Sequence, residues 1–154
     1  MNPLTAAHLH LAPGQVPIMA ILFGLGWLAY GVWRASRDIQ KASLGMFVLA
    51  AVLVVPLYFA GGSAAGVVKG LPGFSDLLLE QHQAAAGVTL ASCLVLGILA
   101  LAGLILFRGR AVAGWFNLLL LAGALLAGSL AIWTASLGGQ VGHVEIRAGE
   151  VLTE

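Results

Sequence analysis

Charge is what this sequence lacks most. Only 8% of its 154 residues are charged, 60% are hydrophobic, and the mean hydropathy is +1.02. A soluble domain carries roughly a quarter charged residues, so lipid is the solvent that suits most of this chain. No basic patch is interleaved with aromatic residues, which excludes nucleic-acid binding. The single cysteine, Cys93, excludes a disulfide within one chain and predicts a free thiol in the apolar core.

Long apolar segments are what the sequence has instead. They predict helices over about 16–33, 42–60, 76–107 and 113–136. Each contains an apolar run long enough to cross the hydrocarbon layer, and in lipid the backbone groups must be satisfied within the segment, which favours helices. Residues 1–14 contain neither Lys nor Arg, so we expect no cleaved signal peptide and a mature start at Met1. The fold class predicted is all-α: a single transmembrane four-helix bundle, residues 1–154, in an up-down-up-down arrangement.

The cations predict the orientation of this bundle. Five of the seven lie in the first and third connectors, namely Arg34, Arg37, Lys41, Arg108 and Arg110, against Lys69 and Arg147 on the opposite side. Short basic connectors stay in the cytoplasm, so both termini are expected outside, in the periplasm of a bacterium with the protein in its inner membrane. The second connector, 61–83, is amphipathic and is expected to lie along the outer membrane surface, with Ser75 or Asp76 capping the third helix.

Ionisable side chains are missing from the apolar runs themselves. This absence argues against a proton pump, a transporter of charged substrates or a voltage sensor, all of which need charge inside the membrane. Asn117 is the main strongly polar side chain within a span and is expected to bond across helices.

The four histidines all fall on the predicted outer side. His8 and His10 precede the first helix, His82 opens the third, and His143 follows the fourth. Imidazole is the commonest metal ligand and the usual axial ligand of haem iron. The pattern predicts a cofactor or metal site formed by His10, His82 and His143, although a histidine at a membrane interface also occurs without any ligand.

Polar neighbours of these histidines are candidates for supporting roles. They are His8, Gln15, Glu80 and Glu145. A carboxylate or amide that accepts a hydrogen bond from one ring nitrogen fixes the tautomer that leaves the other nitrogen for the metal. The small residues at 84–87 would leave room for a flat ligand, and Gly138 and Gly139 are expected to let the chain turn so that His143 folds back.

Three short motifs, LHLAPGQVPI, LPGFSDLLLEQHQAA and LGGQVGHVEIR, resemble a family of small bacterial four-helix predicted membrane proteins of unknown function. Members have a Leu-His and then a His-Phe-Pro at the first helix, a Glu-x-His before the third, and a Gly-Gly followed by a histidine after the fourth. The matching positions here are His10, Pro17, Glu80, His82, Gly138, Gly139 and His143, and Gln15 stands where the family has its second histidine. The resemblance implies that the outer-face histidines recur as a set, which fits a bound cofactor.

The function predicted is a small membrane redox protein that holds haem b at its outer face and exchanges electrons with a quinol or a periplasmic carrier. This favours an electron-transfer or accessory protein over a stand-alone enzyme. Two alternatives remain open: a copper- or zinc-binding membrane protein, and a non-enzymatic subunit, without cofactor, of a larger membrane complex or homo-oligomer.

Overall fold

A computed structural model of the chain describes residues 15–68 and 74–142. This part consists of four α-helices, with no strand: α1 Gln15–Trp33, α2 Arg37–Val68, α3 Asp76–Leu106 and α4 Gly114–Gly142. All four helices are long and apolar enough to cross a membrane. The predicted all-α class and the four candidate spans are confirmed.

Two helices are longer than the sequence predicts. α2 begins at Arg37, continues through Pro56 and reaches Val68, so residues 61–68 extend the helix. Pro56 lacks a backbone N–H, but no further proline occurs between it and Val68, so every later residue of α2 can donate to the helix. α4 continues through Gly138 and Gly139 to Gly142. The two glycines are therefore helical, and the chain does not turn at them.

The helix ends have recognisable local causes. Ser75 caps α3, with its side-chain oxygen accepting from the N–H of Leu78 at 3.4 Å, as predicted for this position. Between α1 and α2 the chain reverses within three residues, and Ala35 adopts a φ of 48°. The N–H of Ser36 donates to the carbonyl of Gly31 at 2.9 Å, which satisfies one of the last carbonyls of α1.

Each helix packs against the next along the chain, and α1 also packs against α4. The largest fully buried apolar side chains between them are Phe47, Ile21, Leu28, Leu44, Leu96 and Leu120. Glycines allow close approach at several crossings: a Cβ added to Gly24 would lie 2.6 Å from Phe47 Cε1, and one added to Gly97 would meet Ala51 Cβ. Small residues thus let the helix backbones approach closely. This is common in membranes, where the hydrophobic effect does not drive helices together and their association depends on close packing.

Candidate functional site at the His82 end

His82 lies in the second turn of α3, and its ring is held against α4. Its Nδ1 is 3.0 Å from the carbonyl oxygen of Thr134. A carbonyl oxygen only accepts hydrogen bonds, so Nδ1 carries the proton in this contact. In the neutral ring the lone pair then belongs to Nε2, the nitrogen with which such a histidine binds a metal.

Gly138 makes this approach possible. A Cβ added at Gly138 would lie 2.9 Å from Cε1 and 3.2 Å from Nδ1 of the His82 ring. Any side chain at this position would therefore push the imidazole away from α4. Because Gly138 is one helical turn after Thr134, the carbonyl that accepts and the glycine that makes room lie on the same face of α4.

A second polar contact joins the same two helices deeper in the bundle. Thr89 Oγ1 and Thr134 Oγ1 are 2.8 Å apart, and Thr89 is buried. Thr89 is seven residues after His82, so the two side chains share one face of α3. Thr134 thus contacts α3 twice, through its carbonyl oxygen and through its hydroxyl. We call His82, Thr89, Thr134 and Gly138 the histidine seam.

The predicted site residues divide into those inside and those outside the described part. Glu80 is exposed on α3, and Gln15 is exposed as the first residue of α1. His82 is half-buried. His8, His10, His143 and Glu145 lie outside the described residues.

Glu80 is two residues before His82 on the same helix. Residues two apart on a helix do not face each other. The acceptor that the structure places at His82 Nδ1 is the carbonyl oxygen of Thr134. Support of the ring by Glu80 or Gln15 stays a prediction.

Within residues 15–68 and 74–142 there is no group of three or more His, Cys, Asp or Glu side chains that would hold a metal ion. Cys93 is buried in the core, as its position predicted, and forms no disulfide. A cofactor at this end would therefore use His82 together with ligands from elsewhere in the chain or from a partner.

Sequence reasoning missed Thr89, Thr134 and the packing role of Gly138. A signal for the threonines was present, because polar side chains in an apolar span tend to bond across helices. The seven-residue spacing of His82 and Thr89 also put both on one face. No local pattern marked the carbonyl of Thr134 as the acceptor, since every residue carries the same carbonyl.

The opposite end of the bundle has a separate polar cluster. Gln40 Nε2 donates to the carbonyl of Gly31 at 3.2 Å, and Asn117 Nδ2 lies 3.5 Å from Gln40 Oε1 and 3.3 Å from the carbonyl of Val112. The two carbonyls only accept, which fixes the orientation of both amides. The prediction that Asn117 bonds across helices is confirmed. We call Gln40, Asn117 and their two carbonyl partners the amide cluster.

Fold and site together define an all-α protein with four candidate membrane spans and a polar histidine seam at one end of the bundle, consistent with an integral membrane protein. Comparison with known proteins found no matching family model, no matching curated protein and no matching solved structure.

Proposed function

We propose that this chain is a small membrane redox protein that binds haem b at the His82 end, where His82 Nε2 would be one of the atoms that hold the haem iron. The observation that supports this is the contact of His82 Nδ1 with the Thr134 carbonyl. Histidines that bind a metal almost always donate their other ring N–H to such an acceptor, which fixes the tautomer and the ring orientation.

The surroundings of His82 fit a flat ligand. The ring is half-buried, so one side rests on α4 while the other remains near the surface of the bundle. Ala86 is one turn after His82 on the same face of α3, is half-buried and would bring only a methyl group next to the ligand. When bound, haem supplies one-electron chemistry. The chain would hold and orient His82 Nε2, and the packing of the ring against α4 would keep water away from that side.

His10 or His143 would supply the other nitrogen that holds the haem iron, as the sequence predicts. His8, Gln15, Glu80 and Glu145 would support the ring nitrogens or the haem edge. A single transition-metal ion, copper or zinc, would use the same His82 Nε2, because neutral imidazole suits these metals as well.

The proposal includes an up-down-up-down arrangement with both termini on the periplasmic side of a bacterial inner membrane. Contacts between successive helices support it, because residue numbers fall along one helix as they rise along the next. The contacts are Gly31 with Gln40 and Gly24 with Phe47 between α1 and α2, Leu44 with Gly103 and Ala51 with Gly97 between α2 and α3, and Gly103 with Phe116 and His82 with Gly138 between α3 and α4. The basic first and third connectors would then be cytoplasmic. His82 would be at the outer end, within reach of a quinol or a periplasmic electron carrier.

The test is a reduced-minus-oxidised absorption spectrum of the detergent-purified protein from cells grown with ample haem. We expect a sharp haem band that is lost in His82→Ala. Gln83→Ala is the matched control, because Gln83 is exposed on the next position of the same helix and its variant should keep the band.

A flat spectrum of the wild-type protein, or a band unchanged in His82→Ala, would contradict the haem proposal. Stoichiometric copper or zinc in the colourless protein, lost in His82→Ala, would favour the metal-ion alternative. Purification only as part of a larger complex, with neither haem nor metal, would favour the accessory-subunit alternative.

A further inference from the structure

A cleft of about 420 Å³ opens beside the connector between α3 and α4, at the end of the bundle opposite to His82. It is lined by Leu106, Phe107, Arg110, Ala111, Ala113 and Trp115. Five of these side chains are apolar and the sixth is a guanidinium. The cleft therefore combines an apolar wall with one positive charge.

The guanidinium of Arg110 is held by the structure around it. Its central carbon lies 5.2 Å from the centre of the Phe107 ring. The backbone N–H of Arg110 donates to the Phe107 carbonyl at 3.2 Å, which fixes the turn that places the side chain over this ring. Phe107 is itself buried and packs on Phe116 at 5.4 Å between ring centres. An arginine placed over an aromatic face is oriented before any ligand arrives, so less conformational freedom is lost on binding.

The charge around the cleft is positive and largely uncompensated. Residues 34–41 and 107–113 contain five Lys and Arg side chains and a single carboxylate, Asp38. Asp38 is paired with Arg37 at 3.8 Å. Lys41 Nζ donates to the carbonyl of Arg108 at 2.6 Å, which brings cations of both connectors to the same place. The cleft lining and the first turn of α4 contain no acidic residue.

The apolar wall is continuous with the candidate membrane spans. Leu106 is the last residue of α3 and Trp115 the second of α4, and both are more than half exposed, at 62% and 67%. In a membrane these two side chains face lipid at the depth where tryptophan is enriched, near the headgroups. A ligand in the cleft would meet the guanidinium on one side and an acyl-chain environment on the other.

We infer that this cleft binds one anionic phospholipid, with its phosphate on Arg110 and an acyl chain along Leu106 and Trp115. Charge complementarity selects an anion, and a planar guanidinium matches the phosphate oxygens. Continuity of the wall with the membrane spans selects a lipid over a soluble anion. Basic sites beside the ends of membrane helices are known to take such headgroups. This site is independent of the proposed haem site.

The test is native mass spectrometry of the purified protein titrated with phosphatidylglycerol or with phosphatidylcholine of the same chain length. We expect tighter binding of the first lipid to the wild-type protein. Arg110→Gln should weaken it about fivefold, from the loss of one cation near the surface. Arg37→Gln is the matched control: it removes a cation at the same end that is paired with Asp38 and does not line the cleft, and it should change binding less than twofold.

Arg110→Lys keeps the positive charge but lacks the planar guanidinium, so its affinity for phosphatidylglycerol should lie between those of the wild type and Arg110→Gln. This variant also tests the site if Arg110→Gln does not fold. Equal binding of the two lipids would overturn the inference. An equal loss in Arg110→Gln and Arg37→Gln would also overturn it, because the effect would then be diffuse charge. Competition by soluble glycerol phosphate at equal concentration would show headgroup binding alone and overturn the lipid assignment.

Discussion

The two ends of the bundle use polar side chains in different ways. In the amide cluster, Gln40 and Asn117 are both about 95% buried and bond to each other and to the backbone carbonyls of Gly31 and Val112. In the histidine seam, His82 is half-buried and one ring nitrogen is directed at a backbone carbonyl. The amide cluster is buried and links α2 to α1 and to α4, whereas the His82 ring is half-buried and is oriented by a backbone carbonyl. The difference is the reason to look for chemistry at the His82 end.

Glycine-to-alanine substitutions at the two ends should show the largest difference in stability. A Cβ at Gly103 would lie 2.6 Å from Phe116 Cε1 and 2.8 Å from Leu44 Cδ2, both in buried side chains that have no space to move into. A Cβ at Gly138 meets the half-buried His82 ring, which can rotate outwards. We expect Gly103→Ala to lower the free energy of unfolding by about 3 kcal/mol and Gly138→Ala by about 1 kcal/mol.

Unfolding in mixed micelles with increasing SDS measures both values. Gly45→Ala is the control, since a Cβ there meets nothing within 4 Å and alanine is the better helix former. Equal losses in Gly103→Ala and Gly138→Ala would mean that the His82 ring is packed as tightly as the core.

The amide cluster should show strong coupling between its two side chains. Gln40→Leu removes the donor to the Gly31 carbonyl of α1 and the Oε1 acceptor of the Asn117 amide of α4. We expect a loss of about 2 kcal/mol, because buried polar groups are left unsatisfied. Adding Asn117→Leu should cost less than the sum of the two single changes, measured by the same SDS unfolding in a double-mutant cycle. Additive losses would refute a direct Gln40–Asn117 interaction.

The smallest effect is expected in the histidine seam. Thr89→Val and Thr134→Val each remove one side of the hydroxyl contact, and each should cost about 0.6 kcal/mol, a typical value for hydrogen bonds between membrane helices. The double variant should cost no more than either single one.

Neither change touches the backbone carbonyl that accepts from His82, so the Nδ1–H tautomer should persist in ¹⁵N imidazole NMR spectra, with the His82 signals assigned by their loss in His82→Ala. A change of tautomer in Thr134→Val would show that the hydroxyl, and not the carbonyl, orients the ring.

Several features of the fold could be predicted from residues alone. The four candidate spans follow from run length and hydropathy, the Ser75 cap from its position before an apolar run, and the cross-helix role of Asn117 from the cost of burying an amide in lipid. Each of these three predictions depends only on the local sequence, or on one residue and the solvent around it.

The extents of α2 and α4 were harder to predict. Residues 61–68 and Gly138–Gly139 contain small residues that permit both a turn and a helix, so the sequence alone favours neither strongly. In the structure they are helical, and at Gly138 the helix brings a position without a side chain against His82. A glycine interpreted as a turn signal is instead a place of close approach.

By itself, the sequence determined that this is an all-α chain with four candidate membrane spans, because too few charges and long apolar runs leave lipid as the only suitable solvent. It also singled out His82 as a ligand candidate. Only the tertiary structure decided that the His82 ring meets the carbonyl of Thr134 over Gly138, and that Arg110 is held above Phe107 beside an apolar cleft. The reason is physical: hydropathy is a property of each segment, whereas the partner of a ring nitrogen or a guanidinium depends on which backbone atoms and rings the helix packing brings within a few ångströms.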